Sequence, residues 1–127
     1  PYPVQVLASL KKITKEYLIF TSAIIPEKID NSKGSFSLPS SGALFVPALK
    51  GQEKDVVREY WETEVGLKGI EGITDNITYD ITKFGPWWWL PTAGCLLSMC
   101  ECAGFEVAQY DILGKGNANQ NIETQIG

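Results

Sequence analysis

Histidine is absent from all 127 residues. That removes His-based catalytic triads, His proton shuttles and most zinc-enzyme sites at once. Methionine is nearly absent: Met99 stands alone and the chain opens on Pro1, so we expect a sequence that starts inside something longer or has been processed. Cations are also in deficit, 11 Lys and Arg against 15 Asp and Glu, for a formal charge of -4. An unaided grip on a nucleic-acid backbone calls for clustered cations, so DNA binding is not expected. No apolar run approaches the length of a membrane span, and Pro1 to Leu10 has neither the basic start nor the small-residue cleavage site of a signal peptide. The expectation is a cytoplasmic protein with no membrane partner.

Cysteine is scarce and clustered, with Cys95, Cys100 and Cys102 in one short segment. An odd number without framework spacing reads as reduced thiols. As metal ligands they would need a fourth partner, so no metal site is assigned, and packing as small hydrophobes is the expectation. What remains is 44% hydrophobic and sized for one soluble domain over residues 1–127.

Apolar periodicity organises that domain. Pro3 to Lys15 places Val4, Leu7 and Leu10 on one stripe, which predicts an amphipathic helix with a basic last turn. Tyr17 to Ile25 is a nearly continuous apolar run closed by Pro26, which predicts a strand buried on both faces. Residues 27–51 shift to Ser, Gly, Pro, Asn and Lys, with a turn at Asn31 to Gly34, and form a long excursion. Gln52 to Val65 carries Val56, Val57, Tyr60, Trp61 and Val65 at helical spacing. Gly66, Gly69 and Gly72 break the chain, and Ile77, Tyr79 and Ile81 alternate with polar residues as in a short strand. Thr92 is placed to cap a helix from about Ala93 to Ala103, apolar almost all round and so expected to be well buried, with Gly104 to end it and Phe105 to Leu113 resuming strand character. Residues 114–127 have little to pack and are expected to be a loop or frayed tail.

Three tryptophans, Trp87, Trp88 and Trp89, lie between Pro86 and Pro91. They are candidates for a wall that stacks on a planar ligand, or for anchors of a loop against the sheet; all three cannot be buried in one direction. Cys95, in the first turn of the capped helix, sits where the helix dipole would lower a thiol pKa, but no evident base lies near it in sequence. Glu53, Asp55, Glu59, Glu62 and Glu64 include a row at 55, 59 and 62 that reads as a solvated helix face before it reads as paired-carboxylate chemistry. Asn76, Ile77 and Thr78 match a glycosylation sequon, a chance match in a cytoplasmic protein.

The block from Trp88 to Val107, WWLPTAGCLLSMCECAGFEV, resembles the segment of class I S-adenosylmethionine-dependent methyltransferases in which an aromatic pair and a Pro open a helix that ends in Ala-Gly-Phe. Most similar are the enzymes like the wobble-uridine tRNA methyltransferases and their small-molecule O-methyltransferase relatives. Pro3 to Ser22 is similar to that family's helix before strand five and to strand five itself. The resemblance implies an α/β, partial Rossmann-like fold: the C-terminal half of the domain, a few-stranded sheet with flanking helices, and an acceptor-side insertion at 27–83. It also implies an acceptor that is a small molecule or tRNA, bound by Trp87, Trp88, Trp89, Thr21 and Ser22. Related enzymes often carry an acidic residue at the end of strand five, where this chain has Thr21 and Ser22, and no catalytic residue is assigned. The Gly-rich loop and the ribose-holding acidic residue of the cofactor half have no counterpart here. S-adenosylmethionine thus belongs to the complete family enzyme, and no cofactor is expected on this chain alone. An alternative of another class is a non-catalytic binding or assembly module that uses the tryptophan loop. A half-fold leaves the strand Tyr17 to Ile25 with an apolar edge, so a homo-oligomer formed through that edge is expected.

Overall fold

A computed structural model describes residues 3–70, 72–74, 82, 89–113 and 121–126, with Leu113 and 121–126 described through their backbone. Three helices and seven strands lie within them: α1 (Pro3–Ile13), β1 (Leu18–Ala23), β2 (Lys28–Asn31), β3 (Gly34–Ser37), β4 (Ala43–Phe45), α2 (Gly51–Glu59), β5 (Trp89–Pro91), α3 (Ala93–Cys102), β6 (Val107–Leu113) and β7 (Asn121–Ile126). The chain is therefore a mixed helix and strand protein. The alternating segment Ile77 to Ile81 lies outside the described residues, as do Trp87 and Trp88.

β1, β7 and β6 form one sheet in that order, with β7 antiparallel to both neighbours. It follows that β1 and β6 run in the same direction, and the chain passes from one to the other through α3. Such a return needs a crossover connection rather than a hairpin. The tail was expected to be loop or frayed end over 114–127, and its residues 121–126 are instead the middle strand of this sheet. Lone polar residues say little about pairing. A strand flanked on both edges is held by backbone hydrogen bonds that composition does not reveal.

Helices cover one face of β1 and the start of β6. Leu7 of α1, Cys100 and Ala103 at the end of α3, and Phe105 form a buried cluster against which Leu18, Phe20 and Val107 pack. Ile24 and Leu96 join Phe20 in a neighbouring cluster. The opposite face of β1 is open: Ile19 is 55% exposed and Thr21 is exposed. The expectation of a strand buried on both faces thus fails over Leu18–Ala23, because helices cover a single face; the fully buried apolar pair Ile24 and Ile25 lies just past the strand. α3 likewise buries one side only, through Leu96 and Cys100, while Cys102 is exposed.

The excursion has a core of its own. Ile29, Phe36, Leu44, Val46, Leu49, Val56, Val57, Tyr60, Trp61, Val65, Ile73 and Leu90, joined by Ile25 from just past the end of β1, form the largest buried cluster. The Asn31–Gly34 turn closes the β2–β3 hairpin with Ser32 and Lys33 at its tip, and Asn31 Nδ2 donates to the Val56 carbonyl at 3.0 Å, tying the hairpin to α2. The helix anticipated over Gln52 to Val65 is present but changes pitch: α2 ends at Glu59 and Tyr60–Val65 continues as a π-helical segment closed by Gly66. Tyr60 and Trp61 continue the buried side of Val56 and Val57 at the α-helical i,i+4 spacing, and the wider pitch brings Val65, five residues after Tyr60, onto the same buried side.

Two features foreseen at α3 are realised. The Thr92 hydroxyl accepts from the Cys95 N–H at 3.2 Å, an N-cap. At the other end Gly104 N–H donates to the Glu101 carbonyl and Phe105 N–H to the Cys100 carbonyl, with Gly104 at φ 95°. That is a Schellman closure, and the positive φ is why glycine stands there. Thr92 also donates its hydroxyl to the Ser40 carbonyl at 2.5 Å and its N–H to the Gly42 carbonyl at 3.0 Å. We predict that Thr92→Ala lowers stability by about 1–2 kcal/mol in urea denaturation, since it removes the α3 cap and the hydroxyl bond to Ser40, whereas Thr92→Ser retains most of it.

Candidate functional site

Three segments converge where β1 ends and α3 begins. β5 pairs with β4 in register Ala43 with Pro91, Leu44 with Leu90 and Phe45 with Trp89. Leu90 is fully buried between its neighbours, so alternation turns Trp89 outward, and it is 46% exposed. Its ring lies against Phe45 with centroids 4.7 Å apart at an interplanar angle of 41°. Immediately after it, the Pro91 carbonyl accepts from Ile25 N–H at 2.9 Å, which binds β5 to the chain leaving β1. The Ser40 loop completes the corner through Thr92, at an approach so close that a Cβ on Gly94 would stand 2.7 Å from the Ser40 oxygen.

The residues proposed from sequence are distributed as follows. Trp89 is an exposed partner in a ring pair, which fits a stacking wall. Trp87 and Trp88 lie outside the described residues. Thr21 and Ser22 stand at the end of β1, Thr21 exposed and Ser22 half-buried, with the Ser22 hydroxyl donating to the Ala23 carbonyl at 3.4 Å. The Ile25–Pro91 bond brings the end of that strand to the aromatic strand. Phe45 was missed in sequence because it is part of a short apolar island whose pairing partner lies 44 positions away. Only the register shows that it faces Trp89.

A scan against protein-family models returns no match. Searches of curated proteins and of solved structures return none either. The chemistry of the site therefore rests on its own residues.

A cofactor cradle for S-adenosylmethionine is not what the described residues make. Gly66, Gly69 and Gly72 all have positive φ, but they follow a helical segment rather than a strand, and Gly66 serves to close that segment. Their place is that of turn residues, as the sequence indicates. Among the described residues no group of three or more His, Cys, Asp or Glu is positioned to hold a metal. No described helix is long and apolar enough to cross a membrane.

The remaining candidates resolve physically. Asp55, Glu59 and Glu62 do share one side of α2 and its extension, where with Lys33 and Arg58 they line a polar depression of about 340 Å³. Glu62 is engaged by Arg58 Nε at 3.1 Å. Mixed charge of this kind suits a solvated face. Burial pushes the Cys95 thiol pKa up, and the same effect raises Cys100. Two buried polar atoms, Tyr60 Oη and Trp61 Nε1, have no hydrogen-bond partner among the described residues. Burial, with a smaller contribution from the Glu64 charge, drives the Tyr60 phenol far above its ordinary pKa.

Thiol reactivity checks this assignment. At neutral pH one cysteine of the native protein, Cys102, should react quickly with Ellman's reagent, Cys95 slowly, and Cys100 only on unfolding. Fast modification of Cys95 would show that its thiolate is stabilised after all. Tyr60→Phe should leave stability unchanged or raise it by up to about 1 kcal/mol, because it deletes an unpaired buried hydroxyl while keeping the ring; thermal denaturation measures this.

Proposed function

We propose that this chain is the acceptor-side half of a methyltransferase-like α/β protein, in which the corner formed by Trp89, Phe45 and the end of β1 receives a planar methyl acceptor. The observation that carries the proposal is the parallel run of β1 and β6 with α3 in the connection between them. That is the crossover a Rossmann-like half requires, and ligands of such sheets sit beyond the carboxyl ends of parallel strands. Thr21 and Ser22 mark that end of β1, and the exposed Trp89, paired with the half-buried Phe45, flanks the chain leaving it. Methyl transfer asks for an in-line approach of acceptor and methyl group, which depends on positioning more than on a base, so the lack of His is compatible with it. The acceptor class is a small planar molecule or a tRNA base. S-adenosylmethionine would be held by a complementary half, and the complete assembly would be cytoplasmic.

A second reading, a non-catalytic binding module, is favoured by the same ring pair. Nearly half of the Trp89 surface is exposed on a rigid ladder, which is what a stacking platform needs whether or not chemistry follows.

Calorimetric titration tests both. The purified chain should show no saturable binding of S-adenosylmethionine, and should bind a nucleoside such as uridine in a manner weakened tenfold or more by Trp89→Ala, on the scale of one base–aromatic stack of about 1–3 kcal/mol. Weakening by Ser22→Ala or Thr21→Val as well would place the ligand at the strand end and support the acceptor side. Sensitivity to Trp89 alone would favour the binding module, and indifference to Trp89 would overturn both.

A further inference from the structure

We infer that the acceptor taken by the Trp89 corner is an uncharged small planar molecule, and that neither a nucleotide phosphate nor a tRNA backbone is gripped there. The inference rests on the reading of that corner as an acceptor site. Its first support is what converges on the corner: residues 18–25, 38–49 and 89–100 contain no Lys, Arg, Asp or Glu, although such residues make up 20% of the chain. These stretches supply β1 with the chain leaving it, the Ser40 turn with β4, and β5 with most of α3. To a ligand they offer the exposed Trp89 ring and the Thr21 and Ser22 hydroxyls. A phosphate brought onto such a surface loses water and meets no counter-charge, whereas a neutral heterocycle keeps its stacking contact.

The second support is the start of α3. A helix N-terminus is where an α/β protein can hold a phosphate without basic side chains, through its free backbone N–H groups and its dipole. Here the chain itself takes that place. The Thr92 hydroxyl accepts from Cys95 N–H at 3.2 Å and donates to the Ser40 carbonyl. The turn that carries this carbonyl is closed by Gly42 N–H on the Pro39 carbonyl at 2.8 Å. It sits so near the first turn of α3 that a Cβ on Gly94 would stand 2.7 Å from the Ser40 oxygen, so glycine is what admits it. The negative end of a peptide dipole therefore stands where an anion would have to approach. A net charge of -4 adds repulsion at longer range. A tRNA backbone requires clustered cations, and these segments carry none.

Calorimetric titration of the full chain with uridine, uridine 5′-monophosphate and unmodified tRNA, at low and at physiological salt, tests this. Uridine should bind. The monophosphate should bind about threefold more weakly or less at low salt, with the gap narrowing as salt is added, and tRNA should bind no more tightly than uridine. Ser41→Lys, at an exposed position of the turn, should raise the affinity for the monophosphate about twofold to fivefold by supplying one counter-charge, and should leave that for uridine unchanged. Monophosphate binding as tightly as uridine or more so, tRNA binding more tightly, or a monophosphate affinity that Ser41→Lys leaves untouched would each overturn the inference while the Trp89 platform stands. Binding of none of the three ligands would overturn the reading of the corner and the inference with it.

Discussion

Thr92 is the residue on which the two halves of the structure depend. It has no exposed surface, and its hydroxyl is used fully, accepting from the first turn of α3 and donating to the Ser40 carbonyl. Its N–H closes on Gly42, and the residue before it accepts from Ile25. One buried side chain thereby caps a helix, terminates a ladder and fastens the loop that leads into β4. A buried hydroxyl with every bond made is stabilising, and the same group left partly unpaired is costly, so the corner tolerates few arrangements.

From that corner the molecule divides its burial unevenly. The excursion between β1 and α3 holds the largest apolar cluster, built by a hairpin, a short ladder and a helix that widens to π pitch. α1 and α3 cover one face of β1 and the start of β6, while Ile19 and Thr21 on the other face of β1 and residues 108–112 of β6 are exposed. The closely packed insertion holds the aromatic strand in place through the β4–β5 ladder.

Much of the local structure was legible because its causes are local. Thr92 followed by an apolar run predicts a cap, Gly104 after Ala103 predicts a left-handed closure, and Asn31 to Gly34 predicts a tight turn; each depends on interactions within a few residues. Exposure was less legible. An apolar run such as Tyr17 to Ile25 looks the same whether one face or both are covered, and the apolar α3 looks buried all round although only Leu96 and Cys100 are. The Cys95 thiol shows the same divide: helix position alone points to a lowered pKa, while burial raises it.

What the sequence determined by itself is the set of elements with short-range causes: the helices, the caps, the turn, and the absence of histidine chemistry. Tertiary structure alone decided that Asn121–Ile126 is the central strand, that β1 and β6 are parallel through it, and that Phe45 faces Trp89. The physical reason is common to all three. Strand pairing is made by backbone groups that every residue carries, so a partner far along the chain leaves no mark in composition or periodicity. It can be found only where the chain has folded back to meet it.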